Sequence, residues 1–282
     1  MNDRRLKKML RFIKTKPLGA LSAFVILLLV IAAVFAPFVS PFDPDVQDSN
    51  RVMTSPSLSN LFGTDQVGRD LLSRVIYGSR ITLLVGLLSV ALGVIIGVSL
   101  GLVTGYCGGK VDLIAQGAVD CVMAFPAIVL ALALVAVLGT SLSNVIVAIG
   151  IVISPRVARV VRGSVLSVKE EEYIMASKAS GCSHSRILFL HILPNVMASI
   201  IVMATINLGQ AILVEAALSF LGLGVPPPAS SWGKMLSGAG KQYMIQAPWL
   251  AFFPGFAISI VVLSFNLLGD ALRDVLDPRM KR

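Results

Sequence analysis

Long apolar runs alternate with short polar segments along the chain. Several stretches long enough to cross a bilayer contain no Asp, Glu, Lys or Arg, among them 17–42, 81–109, 121–155 and 242–269. About 20 apolar residues in a helix cross the hydrocarbon core of a bilayer. The pattern predicts an all-α polytopic membrane protein with six transmembrane helices, at 18–40, 81–105, 114–138, 142–161, 196–221 and 249–270.

The polar segments divide the chain into regions. In order, these are a basic cytoplasmic tail, a first transmembrane helix, an extracytoplasmic segment, a core of five spans and a second cytoplasmic tail: 1–17, 18–40, 41–80, 81–270 and 271–282. The core contains a cytoplasmic loop at 162–195. The apolar run 18–38 is longer than the core of a signal peptide and no small-residue cleavage site follows it, so we expect an uncleaved helix.

Composition and charge agree with a membrane protein. Hydrophobic residues make up 56% of the 282 positions and charged residues 14%, whereas a soluble domain carries about 25% charged residues. With the N-terminus inside, 18 of the 24 Lys and Arg residues fall in inner segments. The positive-inside rule therefore predicts a multi-pass cell-membrane protein with both termini in the cytoplasm. This asymmetry explains the net charge of +9 and gives no indication of nucleic acid binding.

The sequence predicts no metal or cofactor site in this chain. Cys107, Cys121 and Cys182 are odd in number, scattered and without a C-x-x-C spacing, so neither disulfides nor a metal are supported. His184 and His191 lie seven residues apart, whereas two ligands facing one metal from a helix usually lie four apart. Packing or surface roles are favoured for both histidines.

Small residues and prolines predict how the spans pack. Glycine recurs every fourth residue in the second span, which makes a flat ridge where another helix backbone can approach closely: Gly93, Gly97, Gly101 and Gly105. Three prolines are predicted to kink helices or mark their ends: Pro126, Pro155 and Pro194.

Few ionisable residues lie at membrane depth. Glu215 shares the fifth span with Asn207 and Gln210. A carboxylate in a bilayer must be protonated, paired or hydrated, and is a functional candidate by default. The three residues are candidates for a transport path. The alternative is that Glu215 makes a structural hydrogen bond near the outer end of its helix.

The inner loop has the pattern of two short helices. Ser167 and Glu170 have the spacing of a capping box, which predicts that a helix starts there. Gly181 can adopt the left-handed conformation that ends a helix. Ser183 can then cap a second helix over 185–193 that ends at Pro194. Two capped helices held on one face of a membrane protein are typical of a contact with a soluble partner.

This loop resembles the E-A-A-x-x-x-G loop of the permease subunits of ABC importers. Ala176, Gly181, Leu193 and Pro194 match that pattern and Ser177 replaces one small residue by another, whereas Met175 and His191 depart from it. The resemblance implies that the loop contacts an ATPase. The residues expected to carry the contact are Glu172, Tyr173, Ala176, Ser177, Gly181, Ser183, Arg186, Leu193 and Pro194.

Three further stretches narrow the resemblance. The segments G-T-D-x-x-G-R-D-x-x-S-R at 63–74, S-F-L-G-L-G at 219–224 with P-P and S-W-G after it, and F-N-L-L-G-D at 265–270 with its D-P-R ending resemble the dipeptide/oligopeptide/nickel permease family. The overall form is similar to its "C" type of subunit, which has an extra outer segment. The resemblance implies the type I ABC importer permease fold.

The resemblance also implies a set of partners. They are a second homologous permease, two cytoplasmic ATPase subunits that use ATP and Mg²⁺, and an extracytoplasmic solute-binding protein. The Gly-Lys pairs of this chain lack the remainder of a phosphate-binding loop, so we expect no ATPase and no enzyme activity here. Candidate contacts for the binding protein are Asp65, Arg69, Asp70 and Trp232, although tryptophans there are equally explained as interfacial anchors.

Alternatives exist both for the solute and for the class of function. Peptides are the default solutes of the family, and nickel or glutathione are alternatives with the same signatures. A channel or secondary transporter would explain Glu215 but not the capped inner helices. An intramembrane enzyme would need a cluster of catalytic residues at bilayer depth, and the sequence contains no evident one.

Overall fold

The computed structural model describes residues 13–226, 230–240 and 242–276. Residues 1–12 and 277–282 of the two predicted tails lie outside this range, as do the prolines at 227 and 228. Eight helices carry the architecture: α1 (Pro17–Val34), α2 (Leu71–Cys107), α3 (Gly109–Met123), α4 (Ala127–Leu138), α5 (Leu142–Lys169), α6 (Glu172–Ala179), α7 (Leu193–Phe220) and α8 (Trp249–Leu276). Short helical segments occupy Ala36–Val39, Ser49–Arg51, His184–Arg186, Ile187–Ile192, Trp232–Met235 and Leu236–Gly240.

The described helices agree with the predicted all-α membrane fold. Five helical stretches are long and apolar enough to cross a bilayer: α1, α2, α5, the stretch His184–Phe220 that contains α7, and α8. The pair α3 and α4 supplies a sixth span if the two helices are counted as one crossing. When α3 and α4 are counted as one crossing, the described helices supply the six predicted spans.

Helix α2 begins ten residues before the predicted start at position 81. Its first turn is capped by Asp70, whose carboxylate accepts a hydrogen bond from the Ser73 amide at 2.8 Å. The helix has 37 residues, a length of about 55 Å, which exceeds the roughly 30 Å hydrocarbon core. Part of α2 therefore stands outside the membrane and supports the segment at 41–70.

The predicted span at 114–138 is not a single straight helix. The structure breaks it into α3 and α4, whose axes differ by 91°. The break coincides with Pro126, which lacks an amide hydrogen and precedes the first residue of α4. The sequence pattern gave the apolar length but not the change of direction.

The glycine ridge packs against α5, as predicted. A Cβ on Gly97 would lie 2.7 Å from the Ser154 carbonyl oxygen, and one on Gly101 would lie 2.7 Å from the Ala158 carbonyl oxygen. Only glycine permits this approach of the two backbones. The α2–α5 pair is consequently the rigid centre of the bundle, with α7 packed beside it.

Two contacts define the ends of the bundle. Lys16 forms an ion pair with Asp274, which joins the start of α1 to the end of α8. The Tyr106 hydroxyl lies 2.7 Å from His184 Nδ1, which joins the end of α2 to the 162–195 loop. Ser167, near the end of α5, and Arg273, near the end of α8, line one cleft. The start of α1, the end of α8 and the loop therefore share one end of the bundle, called the loop end below. The 41–70 segment lies at the opposite end.

Candidate functional site

The first helix of the loop does not start at the predicted capping box. Helix α5 continues through Ser167 to Lys169, and α6 starts at Glu172 after Glu171, whose side chain makes no capping bond. Val165 is fully buried and Val168 packs against the core. Burial of these two valines continues the apolar stripe of α5, which favours helix through Ser167 over a new start there.

The predicted turn at Gly181 is confirmed. Gly181 has a φ of +75°, and no atom lies within 4 Å of the position that a Cβ would occupy. The Cys182 amide donates to the Ser177 carbonyl at 3.1 Å and the Gly181 amide donates to the Lys178 carbonyl at 3.0 Å. This pair of bonds is the Schellman motif, which ends α6 and satisfies its last carbonyl groups.

The second half of the loop differs from the prediction at its end. Ser183 caps a short helix by accepting from the Arg186 amide, as predicted. The helix does not stop at Pro194, because a π-helical turn over Ile187–Ile192 joins it to α7. In that turn the Leu193 amide donates to Leu188, and the Asn195 side chain donates to the His191 carbonyl at 2.6 Å. The wider turn lets the chain pass a proline without a break.

Buried side chains anchor the loop to the bundle. Ile174, Ile187 and Ile192 are fully buried in the main core. Tyr106 accepts or donates the bond to His184 described above, and the Lys178 ammonium lies 5.6 Å from the centre of the Tyr106 ring. The loop is therefore held in a fixed position on the spans.

The opposite face of the loop is open. Glu172, Tyr173, Ala176 and Arg186 are exposed. Partial desolvation of the Tyr173 hydroxyl, with Glu171 nearby, raises the pKa of this exposed side chain. Phe189 and Leu190 add apolar surface that sequence reasoning missed, and both are more than 60% exposed. Of the predicted contact residues, Gly181 and Ser183 shape the turn, while Ser177 and Leu193 are partly buried.

Glu215 lies in a buried polar contact near the opposite end. Its side chain is fully buried, and the Ser219 hydroxyl donates to its Oε1 at 2.7 Å. The Ser231 hydroxyl donates in turn to Ser219 at 3.3 Å, and the neighbouring Trp232 amide donates to the Thr82 hydroxyl. Glu215 therefore makes a hydrogen bond within α7, and Ser219 extends this polar contact to Ser231 at the start of the Trp232–Met235 helix, which favours the structural alternative.

The other two path candidates differ in burial. Asn207 is buried and its side-chain amide donates to the Met203 carbonyl at 2.8 Å. Gln210 is exposed. Asn207 and Glu215 make their hydrogen bonds with other residues of α7, Met203 and Ser219, and a path role for the three candidates remains a prediction.

The candidate contacts for a binding protein are mostly internal. Asp65 is buried, accepts from the Arg69 and Val67 amides, and pairs with the Arg69 guanidinium at 2.7 Å. Asp70 is buried and accepts from Asn60 and Ser73. Trp232 is buried, and its indole nitrogen donates to a backbone carbonyl in α2. These three side chains stabilise the end of the bundle opposite the loop. Their role as contacts for a binding protein stays a prediction.

Charged side chains on α5 form a group that was not recognised from the sequence. Arg162 pairs with Asp112 through two bonds, at 2.5 and 2.6 Å, and Arg159 pairs with Asp120. Both aspartates lie on α3. Arg156 lies one turn before Arg159 on α5. The recurrence of arginine at every third position of α5 was the signal in the sequence for this charged group.

A bundle of apolar spans with an anchored loop at one end is the architecture of a polytopic membrane protein and suits the transmembrane subunit of a transport system. The model for the inner membrane components of binding-protein-dependent transport systems matches residues 93–282. The chain belongs to this family, and it is a permease subunit of an ABC importer whose partners are ATPase and binding-protein components. A second model, the N-terminal transmembrane domain of oligopeptide transport permease C, matches residues 5–56.

Relatives of similar length support the same family. The chain is 46% identical to a dipeptide transport system permease protein of Alkalihalophilus pseudofirmus, with 95% of this chain and 88% of the relative covered. It is 45% identical to a glutathione transport system permease protein of Escherichia coli, with 92% and 86% covered. A putative peptide transport system permease protein of Brucella suis is 44% identical, with 91% and 86% covered.

A solved structure supports the fold. The inward-facing MetNI methionine ABC transporter matches with a TM-score of 0.60 and 20% identity, over 72% of this chain and 96% of the other. The identity is low, so the likeness concerns the fold alone. It agrees with the type I ABC importer permease fold.

Proposed function

We propose that this permease imports di- and oligopeptides and that its α6 loop receives an ATPase subunit. A second homologous permease completes the path, two cytoplasmic ATPase subunits bind Mg-ATP, and an extracytoplasmic binding protein delivers the solute. The observation that carries the proposal is the loop itself, which has a buried apolar face and an exposed polar face. Such a surface suits a soluble partner.

The loop also has the form of a lever. Its first half ends at the Gly181 turn, and its second half continues without a break into α7 up to Phe220. A force applied to the exposed face at Arg186 is therefore transmitted along one continuous helix. Rocking of a packed element between two positions is an established means of alternating access.

Crosslinking tests the loop contact. A photoactivatable crosslinker is attached to Ala176→Cys or Ser180→Cys in the assembled complex, with Ser57→Cys at the opposite end as the matched control. The native cysteines are first replaced by serine: Cys107, Cys121 and Cys182. We expect adducts with an ATPase subunit from the two loop positions and none from the control. Absence of these adducts would refute the contact.

The same variants test the orientation. We propose that the loop end, with both termini, faces the cytoplasm. Support comes from the distribution of Lys and Arg and from the contacts that hold α1, α8 and the loop at one end. A membrane-impermeant thiol reagent added to intact cells should modify Ser57→Cys and not Ser180→Cys. The reverse pattern would invert the topology.

Relatives support the proposed solute. Two of those described are peptide permeases, and glutathione, the solute of the third, is itself a peptide derivative. Uptake of a labelled dipeptide by the reconstituted complex, in the presence of its binding protein and Mg-ATP, should be inhibited by excess unlabelled tripeptide. Inhibition by glutathione alone would move the proposal to the glutathione class.

A further inference from the structure

A polar cleft opens between three helices at the loop end. It has a volume of about 610 Å³ and lies between α5, α7 and α8. Its polar lining consists of Arg156, Ser164, Ser167, Ser199 and Arg273. A volume of this size is typical of a site for a small molecule.

The cations of the cleft differ from the other arginines of α5. Arg159 and Arg162 each have a carboxylate partner on α3. Arg156 and Arg273 are exposed, and neither forms an ion pair or a hydrogen bond with the part of the chain that the structure describes. No Asp or Glu is among the residues that line the cleft. Two positive charges thus face one space without a described counter-charge.

Both arginines lie in the half of the bundle that carries the loop end. Arg156 lies 14 residues after the start of the 28-residue α5, about 21 Å along that helix, and toward the inner end of the predicted span 142–161. Arg273 lies in the last turn of α8. The two guanidinium groups therefore line the cleft on the loop-end side of the bundle.

We propose that this cleft is an exit-side subsite that binds the carboxylate group of the transported solute through Arg156 and Arg273. The inference rests on the proposed function, because peptides and glutathione all carry carboxylates. A guanidinium fork matches the geometry of a carboxylate, and the serine hydroxyls can bond the adjacent peptide groups. Binding at this site holds the solute while the path is open toward the loop end.

Protection of a thiol tests the subsite without the binding protein. Val160 lines the cleft one turn from Arg156 and is 37% exposed. The nucleotide-free complex carrying Val160→Cys, with the native cysteines replaced, is placed in phosphatidylcholine nanodiscs and treated with a thiol reagent. Trialanine should slow the modification, and trialanine amide, which lacks the carboxylate, should not. Equal protection by both peptides, or by neither, would overturn the inference.

Single substitutions show which side chains bind the carboxylate of the peptide. Arg156→Gln should raise the trialanine concentration for half-protection about tenfold, the factor for loss of one charge-assisted bond, and Arg156→Lys should raise it less. Ser99→Ala, an exposed position on α2 outside the cleft, should leave it unchanged. If nanodiscs with phosphatidylglycerol protect the thiol and trialanine does not, the cleft binds lipid headgroups and the inference fails.

A failure of the subsite can be distinguished from a failure of the proposed function. ATP-dependent dipeptide uptake by the complex with its binding protein tests that function separately. Uptake without carboxylate-dependent protection refutes only the subsite. Arg156→Gln should lower the rate of uptake while stimulation of ATP hydrolysis by the loaded binding protein persists. A loss of that stimulation would indicate damage to the coupling loop instead.

Discussion

The two ends of the molecule use polar residues in opposite ways. At the end opposite the loop, Asp65 and Asp70 are buried and accept hydrogen bonds from their own segment. At the loop end, Glu172 and Arg186 point outward, and isoleucines provide the anchor. The first arrangement is typical of a scaffold and the second of a docking surface. A run of charged residues in a sequence does not distinguish them, because the difference lies in what surrounds each side chain.

Glycine substitutions give the largest expected contrast. Gly68 and Gly181 have similar φ values, +80° and +75°, but a Cβ on Gly68 would overlap the Asp48 carbonyl, whereas one on Gly181 would touch nothing. We expect Gly68→Ala to destabilise the protein by about 3 kcal/mol or more, from strain and overlap, and Gly181→Ala by about 1 kcal/mol. Thermal unfolding of the purified complexes measures both. Equal losses of stability in the two variants would contradict the expected difference between the two ends.

Removal of the Asp70 carboxylate should have the next largest effect. Asp70→Ala removes the cap of α2 and leaves the buried Asn60 amide without its partner. We expect a loss of about 2–4 kcal/mol, since a cap contributes roughly 1 kcal/mol and an unsatisfied buried donor 1–3 kcal/mol. Asp70→Asn keeps an acceptor and is the matched control. If the two variants unfold at the same temperature, the capping role is wrong.

Substitutions of Glu215 test whether buried polar contacts also stabilise α7, a helix that can cross the membrane. Glu215→Leu removes the acceptor for Ser219 and should cost about 1–3 kcal/mol, with reduced uptake. Glu215→Gln retains an acceptor oxygen, so uptake by the reconstituted complex should survive. Loss of uptake in the Gln variant at unchanged thermal stability would instead favour a titrating role in transport.

The smallest effect on folding is expected at the loop surface. Glu172→Lys inverts an exposed charge, and surface changes of this kind usually alter stability by less than about 0.5 kcal/mol. We expect unchanged unfolding of the isolated permease pair but weaker coupling between ATP hydrolysis and uptake. Arg186→Glu inverts a charge in the second half of the same exposed face and should weaken coupling in the same way. Coupling unaffected by either change would exclude this face as the ATPase contact.

Local chemistry made some features predictable. Gly181 and Ser183 act through their own backbone conformation and side chain, and the glycine ridge of α2 acts through its spacing, so each was identified from the sequence. The capping box at Ser167 failed because burial of Val165 and Val168 outweighs a local cap. The stop at Pro194 failed because a π-helical turn accommodates the proline, which no residue pattern announces.

Burial was the part of the site that the sequence could not provide. The motif at 63–74 marks residues that belong together, but it gives no sign that Asp65 and Asp70 point inward. The same holds for Trp232, whose indole is enclosed by α2. The angle between α3 and α4 also depends on distant contacts, including the pairs that join α3 to Arg159 and Arg162.

The break between α3 and α4 has a consequence for biosynthesis. The 12 residues of α4 extend about 18 Å, well short of the hydrocarbon thickness, so this helix cannot cross the bilayer alone. The aspartates of α3 leave the ribosome before the arginines that pair with them, which belong to α5. The pairs Asp112–Arg162 and Asp120–Arg159 can therefore form only after α5 has been synthesised. The contacts of α3 are completed by a helix that the ribosome makes later.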